Sequence, residues 1–179
     1  MDKACIFIDG RYVRAMLHNH YNDQPIDYLK FSNELCRGCE RWRTYYYTCA
    51  PYQGTTPSND ERLRKADFDK FESRMKQNPR FEVRLGRLQR TNDHGHPFVQ
   101  KGVDVLLSID LTQISASRTV DRAIIVSADS DFAPAIQRSK ENMVLVTLAS
   151  FEQHHSEVLF RICDERIVID TPMIRRIIA

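Results

Sequence analysis

The chain has 179 residues, of which 42% are hydrophobic and 28% charged, and its formal net charge is +2. This composition is ordinary for a globular domain, and the length supports one well-buried core, so we expect a single domain over residues 1–179. The sequence holds no apolar run near the roughly 20 residues that cross a bilayer. Its N-terminal apolar stretch is too short for a signal peptide, so we expect a cytoplasmic location without membrane attachment.

The five cysteines are odd in number, and no secretory signal precedes them. We therefore expect reduced thiols rather than a disulfide framework. Cys36 and Cys39 have the CxxC spacing that zinc sites use, but no second CxxC or histidine pair stands at finger spacing. The better interpretation places these two cysteines at the end of a helix.

The first third of the chain predicts a strand, two helices and a second strand. The apolar run 3–8 predicts a buried strand that ends at Asp9. Apolar residues recur at helical spacing from Tyr12, and again over about 27–39, where Asp27 is a candidate N-cap. The Tyr- and Thr-rich run 43–49 predicts the next strand.

The middle third begins with a loop over 50–59 that is rich in Pro, Gly, Ser and Thr. An amphipathic, highly charged helix is predicted over 60–77. Alternating apolar and charged residues at 80–85 predict a half-buried strand. A turn-rich loop at 91–97 and a helix over about 99–114 follow.

The last third alternates between strands and helices. Strands are predicted at 123–127, 143–148 and 166–169, with helices at 132–140 and 151–162 and a terminal helical turn at 174–178. Continuous Val/Ile/Leu strands separated by helices indicate an α/β fold whose central, mainly parallel sheet is covered on both faces.

Aspartates follow two of the predicted strands. Asp9 closes the first strand, while Asp129 and Asp131 follow the strand AIIVS in the segment SADSDF. Sites of parallel sheets form beyond the carboxyl ends of the strands, so these acids are expected to meet. Ser127 or Ser130 could cap the helix that follows, and its positive end would keep nearby carboxylates ionised.

A third acidic contribution comes from the segment KGVDVLLSIDL. Asp104 interrupts an otherwise apolar helical run, and burying a carboxylate there is costly unless something pairs with it. Asp110 lies six residues further and points in a different direction. We therefore assign Asp104 to the site and keep Asp110 as a supporting or surface residue.

Carboxylates drawn together repel one another and raise each other's pKa values unless a cation bridges them. Oxygen ligands favour Mg²⁺ or Mn²⁺ over zinc. A cation held in this way suits phosphodiester hydrolysis, since it activates water and stabilises the leaving oxygen. Arg87, Arg90 and Lys101 are then candidates to hold substrate phosphates, and Ser127 and Ser130 are further candidate substrate contacts. The basic stretch that holds the three cations is also explained by a solvated charged face.

The segments FIDG, KGVD and VSADSDFAPAI, with the strand RTYYYTC, resemble the NYN domains of the LabA/DUF88 group, in the PIN-like nuclease superfamily. The resemblance covers nearly the whole chain. It implies a PIN-like (Rossmannoid) three-layer sandwich, an acidic pocket for Mg²⁺ or Mn²⁺, and ribonuclease activity on single-stranded or structured RNA. By motif match, the catalytic and metal-binding acids would be Asp9, Asp104, Asp129 and Asp131. One position departs: Tyr12 stands where many members have Asn, and we place it beside the site.

Other enzyme classes fit less well. A phosphatase of the haloacid dehalogenase type needs an acid two residues after its nucleophile, where this chain has Arg11. Ser127 and Ser130 lack the glycines of a nucleophile elbow. Of the histidines, His94 or His96 could contact substrate from a loop, and the others are interpreted as surface residues.

The serious alternative is a PIN-like domain that binds RNA or a protein and regulates with little or no turnover. Tyr45, Tyr46 and Tyr47 could supply stacking surface to such a module, although alternation along a strand should bury part of the set. Four converging acids favour the enzyme over the binding module. A binding module has no need for them, because they repel nucleic acid unless a metal is bound. The sequence leaves open whether the chain forms a homo-oligomer.

Overall fold

The computed structural model describes residues 1–91 and 98–179. Its strands are β1 (Lys3–Asp9), β2 (Glu40–Cys49), β3 (Phe81–Arg90), β4 (Phe98–Lys101), β5 (Arg122–Val126), β6 (Leu145–Phe151) and β7 (Glu165–Ile169). Its helices are α1 (Gly10–His20), α2 (Tyr28–Leu35), α3 (Asn59–Gln77), α4 (Val103–Ala116), α5 (Ala133–Glu141), α6 (Glu157–Ile162) and α7 (Thr171–Ile177), with a 3-10 turn at Ser130–Phe132.

The strands form one seven-stranded sheet in the order β4-β3-β2-β1-β5-β6-β7. All neighbours are parallel except the hairpin of β3 and β4. β1 lies in the middle of the sheet, and the strands that follow it are added first on one side, as β2, β3 and β4, and then on the other, as β5, β6 and β7. The direction in which strands are added therefore reverses at β1. Open α/β sheets bind ligands beyond the strand ends at such a point.

Helices cover both faces of the sheet, which confirms the predicted three layers. Ile6 and Ile8 of β1 pack into a core that also contains residues of α1, α2, α3 and α7. Cys5 and Phe7 point the opposite way, into a second core with residues of α4, α5 and α6. The two-residue alternation of β1 therefore supplies both cores.

Two predicted helices are wrong in part. Residues 98–101 form β4, which pairs with β3 from Arg87 to Arg90, and α4 begins only after Gly102. Gly102 has a φ of +83°, a conformation that lets the chain turn from strand to helix without strain. The predicted helix 151–162 is reduced to α6, because Phe151 still belongs to β6. His154 and His155 therefore lie in the connection before α6. Of the predicted loop, residues 92–97, with His94 and His96, lie outside the described residues.

The tyrosines of β2 are not a stacking surface. Tyr45, Tyr46 and Tyr47 are all buried, because β2 has helices on both of its faces. The expectation that some of them could meet nucleic acid bases is therefore wrong.

All five cysteines are free thiols, as expected. Cys36 caps the C-terminus of α2, and the Cys39 thiol donates to the Cys36 carbonyl over 3.4 Å. The pair thus lies at a helix end, although α2 stops earlier than predicted. Within the described parts of the chain, no helix combines the length and apolar character needed to cross a membrane.

Candidate active site at the carboxyl ends of β1 and β5

Asp9 is the last residue of β1 and the N-cap of α1. Its Oδ1 accepts hydrogen bonds from the amides of Arg11 at 3.0 Å and Tyr12 at 3.2 Å, and only 8% of the residue is exposed. The next residue is Gly10, and a larger residue would not fit there, because an added Cβ would lie 2.6 Å from the Tyr46 ring. Close packing of α1 on β2 therefore sets the position of the Asp9 carboxylate.

Ser127 connects the ends of β1 and β5. Its fully buried hydroxyl donates to Asp9 Oδ2 at 3.1 Å and accepts from the Asp129 amide, also at 3.1 Å. Ser127 is one of the expected substrate contacts, but a hydroxyl with no exposed surface cannot contact substrate directly. Its place in the site is to hold Asp9 and Asp129 together.

Asp129, rather than a serine, caps the turn that follows β5. Its Oδ1 accepts from the Asp131 amide at 3.0 Å. Ser130 is exposed and makes no capping hydrogen bond, so the predicted serine cap is wrong. Exposed Ser130 and Asp131 are left on the solvent side of the turn.

Asp104 lies in the first turn of α4 and is exposed. Partial desolvation by the surrounding protein raises the pKa of its carboxyl group, and the negative charges of Asp129 and Asp9 raise it further. The guanidinium of Arg11 opposes this rise. The start of α4 therefore lies within electrostatic reach of the acids at the ends of β1 and β5.

Burial is also the main reason that the pKa of Asp9 is raised. Three hydrogen bonds, from Tyr12, Ser127 and Arg11, counteract burial, while the charge of Asp129 adds to it. None of the four acids forms an ion pair with a described residue. The site therefore concentrates negative charge that no ion pair among the described residues neutralises.

The carboxylates are an oxygen donor set of the kind that suits Mg²⁺ or Mn²⁺. Within residues 1–91 and 98–179, no three acidic, histidine or cysteine side chains converge closely enough to coordinate one ion. For several of the acids to coordinate one ion, their side chains would have to rotate. Asp104 and Asp131, both exposed, have the space for it.

Two residues expected beside the acids are engaged elsewhere. Asp110 accepts hydrogen bonds from the Tyr47 hydroxyl at 2.9 Å and from Arg84 Nε at 3.2 Å, which ties α4 to β2 and β3. The Tyr12 hydroxyl donates to the His154 carbonyl at 2.5 Å and accepts from the Phe151 amide at 2.9 Å. Both side chains therefore hold elements together.

The three cations chosen from the sequence lie on the β3–β4 hairpin, where Arg87 is paired opposite Lys101 and Arg90 opposite Phe98. Arg87, Arg90 and Lys101 are all exposed. Sequence reasoning missed Arg11, which is exposed at the start of α1 and whose charge acts on Asp104. The signal was its place two residues after Asp9, at the positive end of a predicted helix.

Comparison with known proteins gives a family and a fold. Residues 3–170 match the family model described as the NYN domain. The fold is similar to the crystal structure of a protein of unknown function from Vibrio parahaemolyticus, with a TM-score of 0.69 and 24% sequence identity over 99% of this chain and 96% of that chain. A comparison with curated proteins found no match.

Proposed function

The chain belongs to the NYN domain family, a PIN-like nuclease family, and we propose that it is a metal-dependent ribonuclease. In this proposal Asp9, Asp104, Asp129 and Asp131 hold Mg²⁺ or Mn²⁺ and hydrolyse phosphodiester bonds of RNA.

The observation that carries the proposal is the hydrogen-bonded path from Asp9 through Ser127 to Asp129 and Asp131. It joins the ends of β1 and β5 at the point where the strand order reverses. Capping alone would explain Asp9 and Asp129 one at a time. It does not explain why a buried serine couples the two caps, or why Asp104 of α4 lies near enough for their charges to raise the pKa of its carboxyl group.

In this proposal the acids differ in how firmly they are held: hydrogen bonds fix Asp9, whereas Asp104 and Asp131 can change orientation. A carboxylate has about four lone-pair sites, and Asp9 uses three of them for hydrogen bonds, which fixes its position and leaves one site for a ligand. Asp104 and Asp131 accept no side-chain hydrogen bond from described residues and are free to adjust. A bound divalent cation would polarise the phosphate and lower the pKa of an attacking water. Arg11, beside Asp9, is placed to hold a non-bridging phosphate oxygen.

The alternative is a regulatory domain that binds RNA or protein with little turnover. The absence of a ready-made group of three ligands among the described residues favours it. The two functions separate in one experiment, because only the nuclease needs both metal and carboxylates for product to appear.

Wild type and Asp129→Asn are incubated with end-labelled RNA and single-stranded DNA in Mn²⁺, Mg²⁺ or EDTA. Asparagine caps a helix as well as aspartate does, so the variant keeps its fold while losing a metal-binding charge. We expect cleavage of RNA by wild type with Mn²⁺ or Mg²⁺, none in EDTA, and a loss of about a hundredfold or more in the variant. Equal persistence of every substrate with wild type and variant would overturn the nuclease. RNA binding that survives in both proteins would then support the regulator.

A further inference from the structure

A large groove lies on the face of the sheet that α1, α2 and α3 cover. Its volume is about 950 Å³, near the top of the range of about 300–1,000 Å³ for ligand pockets. Tyr28, Tyr46, Phe68 and Phe71 contribute aromatic surface to it, and Arg14, Arg64 and Arg74 contribute positive charge. We call it the α3 groove.

The aromatic residues form one connected group. The Tyr28 ring meets Tyr46 edge-on with centroids 4.9 Å apart, and Phe71 lies 6.0 Å from Tyr28 and 5.6 Å from Tyr46. Tyr28 and Phe71 keep part of their surface exposed. Buried Tyr46 supports these two rings from below, and partly exposed aromatic rings such as those of Tyr28 and Phe71 are the surfaces on which unpaired bases stack.

The three arginines have no carboxylate partner among the described residues. Arg14 donates instead to the Gly10 carbonyl and to the Thr48 hydroxyl, each at 3.2 Å. The groove also contains two acids, Asp23 and Asp27, which the three arginines outnumber. The charge that remains for a ligand is positive, and it suits an anion.

The α3 groove and the acidic site are connected through α1, although none of the described groove residues belongs to the acidic site. Arg14 bonds to Gly10, the residue that follows Asp9, and Tyr46 on the groove floor is the residue against which Gly10 packs. Along α3, Arg64 and Arg74 are ten residues apart, about 15 Å on a helix. A stacked strand rises about 3.4 Å per nucleotide, so this length fits several nucleotides.

We infer that the α3 groove binds unpaired bases of single-stranded RNA that lies across the acidic site, with phosphates on its arginines. The inference rests on the proposed function only in taking RNA as the substrate. Paired bases cannot reach the aromatic rings, and a single nucleotide cannot bridge Arg64 and Arg74.

Binding is measured by fluorescence anisotropy in EDTA, so that no cleavage occurs. The probe is a labelled 12-nucleotide RNA of mixed sequence without self-complementarity, alone or annealed to its complement. The test variant is Arg64→Glu/Arg74→Glu. The control variant, Arg62→Glu/Lys70→Glu, makes the same change of charge on exposed residues of α3 that do not line the groove.

We expect the test variant to bind the single strand about tenfold or more weakly than the control variant. A second variant, Phe71→Leu, removes a stacking ring but keeps an apolar side chain. It should weaken binding several-fold, with the fold checked by circular dichroism. Equal binding by test and control variants, equal affinity for single and double strands, or AMP binding as tight as the oligonucleotide would each overturn the inference.

The failure of the proposed function is a separate result. If wild type cleaves no RNA in Mn²⁺ but the test variant alone loses binding, the groove inference is supported and the nuclease proposal is overturned. If wild type cleaves RNA and the test and control variants bind alike, the nuclease proposal is supported and the groove inference is overturned.

Discussion

The Ser127 hydroxyl donates to Asp9 Oδ2 over 3.1 Å, across 118 positions of the sequence. Neither residue has more than 8% of its surface exposed. This bond brings together the ends of two parallel strands and leaves the Asp9 carboxylate with a defined orientation. It is the contact on which the geometry of the proposed metal site most depends.

Replacing Ser127 by alanine should weaken both the fold and the site. The substitution leaves Asp9 Oδ2 and the Asp129 amide without their partner, which costs about 1–3 kcal/mol in the free energy of unfolding. We expect Mn²⁺ affinity, measured by isothermal titration calorimetry, to fall about tenfold or more. Ser139→Ala is the matched control, because that buried hydroxyl donates only within α5, to Ala135. Unchanged Mn²⁺ affinity in Ser127→Ala would contradict the proposed role.

Asp104 and Asp110 should respond in opposite ways to the same chemical change. Asp104→Asn removes a charge that other acids repel, so its stability should stay equal or rise while RNA cleavage is lost. Asp110→Asn replaces an acceptor that serves Tyr47 and Arg84, so it should cost about 1–2 kcal/mol and leave cleavage per folded molecule near wild type. Urea unfolding and an RNA cleavage assay measure the two effects. The reverse pattern would exchange their roles.

Tyr12→Phe should destabilise the protein without disabling the site. The change removes the partner of the His154 carbonyl and of the buried Phe151 amide, at a cost of about 1–3 kcal/mol. Cleavage per folded molecule should not change, because the Tyr12 amide that bonds Asp9 remains. Tyr21→Phe loses one hydrogen bond, from Gln153 at the surface, and should cost less than about 0.5 kcal/mol. Equal losses of stability in the two variants would show that the buried Tyr12 hydroxyl stabilises the fold no more than the exposed Tyr21 hydroxyl does.

Lowering the pH should remove the contribution of Asp164 to the free energy of unfolding. Partial desolvation tends to raise the pKa of its carboxyl group, but hydrogen bonds from the Val146 amide and Lys140 outweigh it, and the pKa is lowered. A lowered folded-state pKa gives stability that is complete above the unfolded value of about 3.9 and is lost as the pH falls through the folded value. Asp164→Asn should therefore be up to about 1 kcal/mol less stable at pH 7, and this deficit should be smaller at pH 2. A difference that is the same at both values would refute this linkage.

The sequence was sufficient for the frame of the site, because its signals are local. Apolar runs that end in aspartate predicted Asp9 and Asp129 at strand ends, and strand–helix alternation predicted the parallel sheet. Asp27 was recognised as a cap for the same reason: an Asp before a helical apolar pattern needs no knowledge of distant residues.

What the sequence missed depends on distant partners. Residues 98–101 form a strand only because β3 lies beside them. Tyr12 differs from the residue common in the resembling group, and only the structure shows that its hydroxyl bonds β6, 139 positions away. The arginines of the α3 groove come from two helices, Arg14 from α1 and Arg64 and Arg74 from α3, and no spacing rule connects the two helices.

The capping roles of Asp9 and Asp129 also affect how this domain can change in evolution. Asn serves as a helix cap about as well as Asp, so exchanging the Asp129 carboxylate for an amide preserves the turn after β5. Selection for folding alone does not protect the charge at that position. If the proposed function holds, a duplicated copy of this protein loses catalysis through that one substitution and persists as a folded protein with its groove intact.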